Sequence, residues 1–385
     1  MEQNEFDAIR PYDDDEVKGA WEELLHDRQF VSVIRGFAPV PGWLVRLIGR
    51  TLFLGVHSAT DFQLRFMKPV VRLILRRCST GYSFGHDNIE RGDKRYTFVS
   101  NHRDIVLDSA ILDLMLHEAH FDTTCEIAIG DNLLIYPWIK KLVKLNKAFT
   151  VRRGLSPREL LQSSQLTSRY MHHAVADKKE NIWIAQREGR AKDSDDRTQE
   201  SVLKMLAMGG DGTPVESLKE LCIVPLTISY EYDPCDYLKA QEFQLKRDNP
   251  GYKKSKKDDL ENMKVGIMGK KGHVHYEAAP CINTWIDELA DLPRTELFAA
   301  IAKRMDAEIH TGYRLYPGNY VAADMLSGVD EFAANYTSQE KVDFENYLQE
   351  RIDLIHIENK DVNFLRNRIL AMYANPVFNK IKAES

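Results

Sequence analysis

Ser100-Asn101-His102-Arg103-Asp104-Ile105-Val106-Leu107-Asp108 joins two kinds of pattern. Before it, Tyr96–Ser100 is a short apolar run of β type. After it, Ala110, Ile111, Leu114 and Met115 recur at helical spacing. A histidine therefore stands at the mouth of a strand, and two carboxylates follow in the first turns of a helix. Strands at Glu126–Ile129, Ala148–Val151, Asn181–Ala185, Leu221–Ser229 and Val274–Tyr276 continue the alternation. Ser156-Pro157-Arg158-Glu159 is a helix start, with Ser at the N-cap, Pro at the first helical position and Glu at the third. The alternation predicts an α/β fold with a central mixed sheet flanked by helices. Reactive residues in such sheets sit just beyond strand carboxyl ends, where His102, Arg153 and Glu188 all lie.

The flanks differ in charge. Residues 1–30 hold ten Asp/Glu and three Lys/Arg, and residues 31–80 hold eight Lys/Arg and one Asp. The acidic block reads as a leader plus a short helix over Asp15–His26, with a solvated arm as its ordinary outcome. The basic block carries Trp43, Leu44, Leu47, Ile48, Leu52, Phe53 and Leu54, the composition of an interfacial segment too short to span a membrane. Pro39, Pro41 and Gly42 precede a helix at 42–56. A second helix at 61–77 repeats Phe62, Phe66, Val70 and Ile74 every four residues. Helical patterns at 295–310, 338–357 and 361–373 close the chain. The expected organisation is an acidic segment at 1–30, amphipathic and membrane-docking helices at 31–80, an α/β domain at 81–290 and a helical region at 291–385.

Composition excludes several classes. With 385 residues, 43% of them hydrophobic, the chain has ample core, and no stretch reaches 18 uninterrupted apolar residues. A net charge of −6 argues against nucleic acid as a partner. The five cysteines form no C-x-x-C pair, which speaks against a disulfide scaffold or a cysteine-rich metal site and for a reducing cytosol. Glu2, Glu5 and Asp7 leave no room for a secretory signal at the N-terminus. His273 and His275 alternate on one strand without an evident third metal ligand, so no metal is expected.

Four features carry chemistry. A carboxylate holding one nitrogen of His102 fixes its tautomer and steadies the imidazolium that forms when the other nitrogen takes a proton. Asp104 and Asp108 are both candidates. No serine or cysteine nucleophile elbow is present, which favours direct attack by a substrate hydroxyl. Arg152 and Arg153 at a strand end, before Gly154, suit a phosphate. Glu188-Gly189-Arg190 is a turn able to hydrogen-bond a polyol and bind its anion. Pro225 near the start of an apolar strand implies an edge position or a special shape.

In order, these four blocks resemble the glycerolipid acyltransferase superfamily, the glycerol-3-phosphate and 1-acylglycerol-3-phosphate acyltransferases. The resemblance covers roughly 95–280, and Leu133 and Pro137 fit between the first and second blocks. It implies an acyl-CoA or acyl-ACP donor, a glycerol phosphate or lysophospholipid acceptor, and no cofactor. His102 is then the general base. The family's aspartate falls five residues after the histidine, where this chain has Leu107. Asp108 is the expected partner through a one-residue shift and Asp104 the rival. Arg152 and Arg153 bind the acceptor phosphate, Glu188, Gly189 and Arg190 shape the glycerol end, and Pro225 supports a pocket. In the third block Ala191 replaces the family's arginine, with Arg190 or Lys192 as substitutes, and Gly130 stands where many relatives carry a lysine. The product implies a peripheral protein on the cytoplasmic face of a membrane. Two other readings stand beside it: a lipid-binding protein of this fold without chemistry, and a thioester or phosphoester hydrolase. Chain length of the acyl group and oligomeric state are not legible.

Overall fold

The computed structural model describes residues 5–37 and 40–385. Glu2 of the acidic leader and Pro39 of the break before residue 42 lie outside them. Seven strands form one sheet: β1 Ser79–Gly85, β2 Thr97–Ser100, β3 Cys125–Gly130, β4 Ala148–Val151, β5 Asn181–Ala185, β6 Ile223–Tyr230 and β7 Gly272–Ala278. Their order is β1-β7-β6-β2-β5-β3-β4. The five from β6 to β4 run parallel, β7 is antiparallel to β6, and β1 is parallel to β7. The fold is α/β with a mixed sheet.

Helices cover both faces, which is why β2 and β6 read as apolar runs rather than alternating ones. One face packs on Val71 and Leu75 of helix Lys68–Cys78 and on Ile111, Leu114 and Met115 of helix Leu107–Glu118. The other packs on Tyr170 and Met171 of helix Pro157–Ala176 and on Ile301 and Met305 of helix Arg294–Thr311. The helix at Pro157 starts with the expected capping box between Ser156 and Glu159.

The flanks depart from expectation in instructive ways. Helix Asp14–His26 is acidic on one face only. Val17, Trp21 and Leu24 are buried, and the Trp21 ring stacks on Phe53 at 4.9 Å, so this segment is no solvated arm. Helix Gly42–Leu52 buries only Val45 and Gly49, while Trp43, Leu47, Leu52 and Leu54 are 54–76% exposed. The next helical stretch runs from Ala59 to Cys78 and is a π-helix over Phe62–Met67, where Lys68 N–H reaches back five residues to Gln63 O. Pro69 follows at once, and a wider turn is a natural accommodation of a ring that would clash with the carbonyl four residues earlier. A strict four-residue stripe cannot stay on one face of such a helix: Phe62, Val71 and Leu75 are buried, whereas Val70 is exposed. Past the sheet, helices Pro317–Ser327, Ser338–Asp353 and Val362–Glu384 share a cluster around Val321, Phe344, Leu348, Leu365 and Tyr373.

Pro225 does not mark an edge. It lies in β6, the third strand in, opposite Val99 of β2. Ala279 N–H donates to Pro225 O at 2.9 Å, but proline has no N–H to return, and the β6·β7 pairing ends beside it at Leu226 and Ala278. An interior proline is tolerated because it stands where the antiparallel pairing stops.

Candidate active site

His102 lies two residues beyond β2, at the carboxyl edge of the parallel strands. Its Nδ1 is 2.8 Å from Asp108 Oδ2, so Nδ1–H donates to that carboxylate and Nε2 carries the lone pair. Nε2 makes no hydrogen bond within the described residues. Asp108, on the first turn of helix Leu107–Glu118, is fully buried. Besides His102 its Oδ2 accepts Arg103 N–H at 2.7 Å and Asp104 N–H at 3.0 Å, and its Oδ1 accepts the Tyr230 hydroxyl at 3.1 Å. Four donors satisfy one carboxylate that has no contact with solvent. The edge of the His102 ring meets Trp183 of β5, with centroids 5.5 Å apart. An imidazole fixed in this tautomer, with a buried anion behind it and Nε2 open, can accept a proton from a bound hydroxyl.

Asp104 serves the turn instead. Its Oδ1 accepts Val106 N–H and Leu107 N–H, both at 2.8 Å, tying down the first amides of the helix. Burial and the neighbouring Asp108 raise its pKa, opposed by those two amides. Helix Lys256–Met268 closes over it: a Cβ on Gly266 would lie 2.1 Å from Asp104 Oδ2.

A buried network that the sequence did not disclose braces the loop. Asp196 accepts from the Arg103 guanidinium at 2.7 Å, from Asn101 Nδ2 at 3.2 Å and from the Tyr313 hydroxyl at 2.5 Å. Asn101 also exchanges two bonds with the backbone of Ile228. The carboxylate of Asp196 and the ring of Tyr313 hold the Arg103 cation and push its pKa up against the cost of burial. Residues more than 90 positions apart make this brace, and no local pattern announces Asp196 or Tyr313.

The second and third blocks meet across a glycine. Arg153, after β4, reaches over the end of β3 to Glu188, after β5, with Nη1 3.1 Å from Oε1. A Cβ on Gly130, the last residue of β3, would sit 2.7 Å from Arg153 Nε, so the bare position makes room for the crossing. Asp131 Oδ1 accepts Arg153 N–H at 3.1 Å. The ion pair is solvent-facing and worth about 0–1 kcal/mol, weak enough for an anionic ligand to open. Arg152 is exposed beside it, and Gly189 adopts φ +70°, a left-handed turn that suits glycine. A cleft of ≈ 320 Å³ opens at this ion pair, walled by Ala128, Val151, Leu160, Ile184 and Met205. Arg190 turns elsewhere: its Nη2 donates to Asn262 Oδ1 at 2.9 Å. Lys192 pairs with Glu242. The structure thus brings Arg153 to Glu188, and sends Arg190 and Lys192 toward the helices that follow β6. Pro225 contributes to the sheet interior.

A histidine backed by a buried carboxylate at the carboxyl edge of a mixed α/β sheet, with an arginine–glutamate pair beyond neighbouring strands of the same edge, suits group transfer of the acyltransferase class. Residues 83–229 match the protein-family model described as Acyltransferase, and through this stretch the chain is similar to that family. Among solved structures it is similar to the 1-acyl-sn-glycerophosphate (LPA) acyltransferase PlsC from Thermotoga maritima. The identity is 10%, the coverage 75% of this chain and 95% of that one, and the TM-score 0.38. No curated protein matches the sequence. Among the described residues no helix is long and apolar enough to cross a membrane.

Proposed function

We propose that this acyltransferase moves a fatty acyl group from an acyl-CoA or acyl-ACP thioester to a hydroxyl of glycerol 3-phosphate, 1-acylglycerol 3-phosphate or a related lysolipid. The observation that carries the reading is the 2.8 Å contact of His102 Nδ1 with the buried Asp108. As the acceptor oxygen attacks the thioester carbonyl, its proton passes to His102 Nε2, and Asp108 offsets the imidazolium charge. Collapse of the tetrahedral intermediate expels the thiolate, which takes the same proton from Nε2. Arg153, with Arg152 at the rim, binds the acceptor phosphate by exchanging Glu188 for it, and Glu188 is freed toward the glycerol hydroxyls. The apolar wall of the adjoining cleft receives an acyl chain. No cofactor or metal enters this scheme.

The test is a panel of acceptors with and without a phosphate, each with one radiolabelled acyl-CoA. Arg153→Ala is expected to raise KM for phosphate acceptors alone. Equal loss on all acceptors would remove the phosphate role, and full transfer by His102→Ala would remove the mechanism.

We further propose a peripheral site on the cytoplasmic face of a membrane. The exposed Trp43, Leu47, Leu52 and Leu54, flanked by Arg46 and Arg50, suit an anionic lipid surface, at about 1 kcal/mol per near-surface cation. Trp43→Glu with Leu47→Glu is expected to abolish co-sedimentation with anionic vesicles while the fold is retained. Undiminished binding would refute the surface.

A further inference from the structure

Strand alternation puts a second constellation on the opposite side of the sheet from Asp108. Tyr276 of β7 points toward the dyad and donates to Asp108 O at 2.8 Å. Its neighbours His275 and Glu277 therefore face the other way. There Ser83 of the edge strand β1 stands in register with His275, and Gly85 with Glu277. Ser83 Oγ is 2.8 Å from His275 Nδ1, and His275 Nε2 is 3.1 Å from Glu277 Oε2. Nε2–H donates to the carboxylate and leaves Nδ1 as the acceptor for the Ser83 hydroxyl. That is the nucleophile–base–orienter chain of covalent catalysis, recognised by geometry and not by sequence order.

Three further observations single it out from an ordinary polar cluster. The glycine at position 85 leaves the space the carboxylate uses: a Cβ there would lie 1.8 Å from Glu277 Oε2, and the Glu277 side chain would have to swing away from its present place against His275. Arg314 Nη1 lies 3.4 Å from Ser83 Oγ, and its backbone N–H is anchored on Ser229 Oγ at 3.1 Å, so a guanidinium stands beside the hydroxyl oxygen and favours its negatively charged form. An open cleft of ≈ 380 Å³ runs alongside, lined by Asn88, His275, Glu277, Gly312 and Arg314.

We propose that Ser83, His275 and Glu277 form a second catalytic site, which hydrolyses short-chain carboxylic esters. Ser83 Oγ attacks the ester carbonyl as its proton moves to His275 Nδ1. The alkoxide departs with that proton, leaving an acyl-serine. Water then attacks the acyl-serine, gives its proton to His275, and the proton returns to Ser83 Oγ as the acid leaves. Ester and water become acid and alcohol, with no other reactant. His275 and the charged Glu277 and Arg314 in the cleft's lining disfavour long apolar chains. The activity is independent of the acyl-transfer reading of His102.

The test treats the full-length folded protein with a fluorophosphonate probe and maps the adduct by peptide mass spectrometry. In parallel, hydrolysis of 4-nitrophenyl acetate is followed. The expected results are an adduct on Ser83, hydrolysis lost in Ser83→Ala, and labelling slowed about a hundredfold in His275→Ala. Glu277→Gln, which keeps the volume, is expected to slow labelling by tenfold or more, and serves if the alanine variant does not fold. No adduct on Ser83 of the wild-type protein, or labelling at an unchanged rate in the folded His275 or Glu277 variant, would overturn the proposal.

Discussion

Replacing Asp108 by asparagine isolates the charge of the dyad from its scaffolding. The carboxylate accepts from four donors, three on Oδ2 (His102 Nδ1, Arg103 N–H, Asp104 N–H) and one on Oδ1 (Tyr230). An amide has one donor end, and setting it against three N–H groups is far costlier than setting it against a single hydroxyl that can rotate to accept. The Asn oxygen therefore takes the Oδ2 position, His102 keeps its tautomer, and only the negative charge is lost. At an effective dielectric of about 20 and about 4 Å between charge centres, that charge is worth ~4 kcal/mol to an imidazolium. At about 1.4 kcal/mol per decade, kcat for acyl transfer falls roughly 10³-fold. Asp108→Ala behaves differently, because it strands three buried donors besides His102 at about 1–3 kcal/mol each and lowers stability as well. The assay is acceptor-dependent thiol release at saturating substrate, paired with urea unfolding. Asn at near wild-type stability with kcat within threefold of wild type would refute the dyad.

Gly266→Ala should gain about 1 kcal/mol from helix propensity, yet its Cβ would press on Asp104 Oδ2. The expected outcome is a lower Tm and a lower kcat, and a stabilised, fully active variant would contradict the packing described. Burial pushes the Asp113 carboxyl up to about 7. Between about pH 4 and 7 the folded chain keeps a proton that the unfolded chain has released, so stability falls with rising pH by up to ~1.4 kcal/mol per unit. Urea unfolding at pH 5 and 7.5 should show Asp113→Asn gaining on the wild type as pH rises, and the reverse trend would count against it. A hydrogen bond from the Cys281 thiol brings Cys222 down to about 7, while burial drives Cys125 far up and Cys235 up to about 11. Iodoacetamide at pH 8 should modify Cys222 before Cys125 or Cys235, and should slow about tenfold at pH 6. Preferential labelling of Cys125 or Cys235 would refute that environment.

Much of the sheet was legible because β2, β4 and β5 are apolar runs stopped by Asn, Arg-Gly or Glu-Gly turns, and β6 is a longer apolar run. β1 was not. Ser79–Gly85 (STGYSFG) sets glycine and serine on one face and Tyr82 and Phe84 on the other, and reads as a loop. It becomes a strand only by pairing with β7, far along the chain. Between β6 and β7 the helix Asp236–Asp248 was missed because its buried face includes Asp236, Lys239 and Gln244, which bond to other polar groups. In the site, His102 and its choice of two acids could be named from one nonapeptide, since the partner lies within two helical turns. The Arg153–Glu188 crossing depends on what stands between β4 and β5, and spacing along the chain carries no trace of strand order. The expected role for Arg190 failed to anticipate Asn262 for the same reason.

The pairing of β1 with β7 also sets a timetable for synthesis. The edge strand leaves the ribosome about 190 residues ahead of its partner, a wait of roughly 10–40 s at ordinary elongation rates. Throughout that interval its backbone donors and acceptors have no native partner, while Tyr82 and Phe84 stand ready to recruit another nascent chain. Overproduction should therefore lose material to aggregation during translation more than during storage, and slower elongation before residue 272 should worsen the yield.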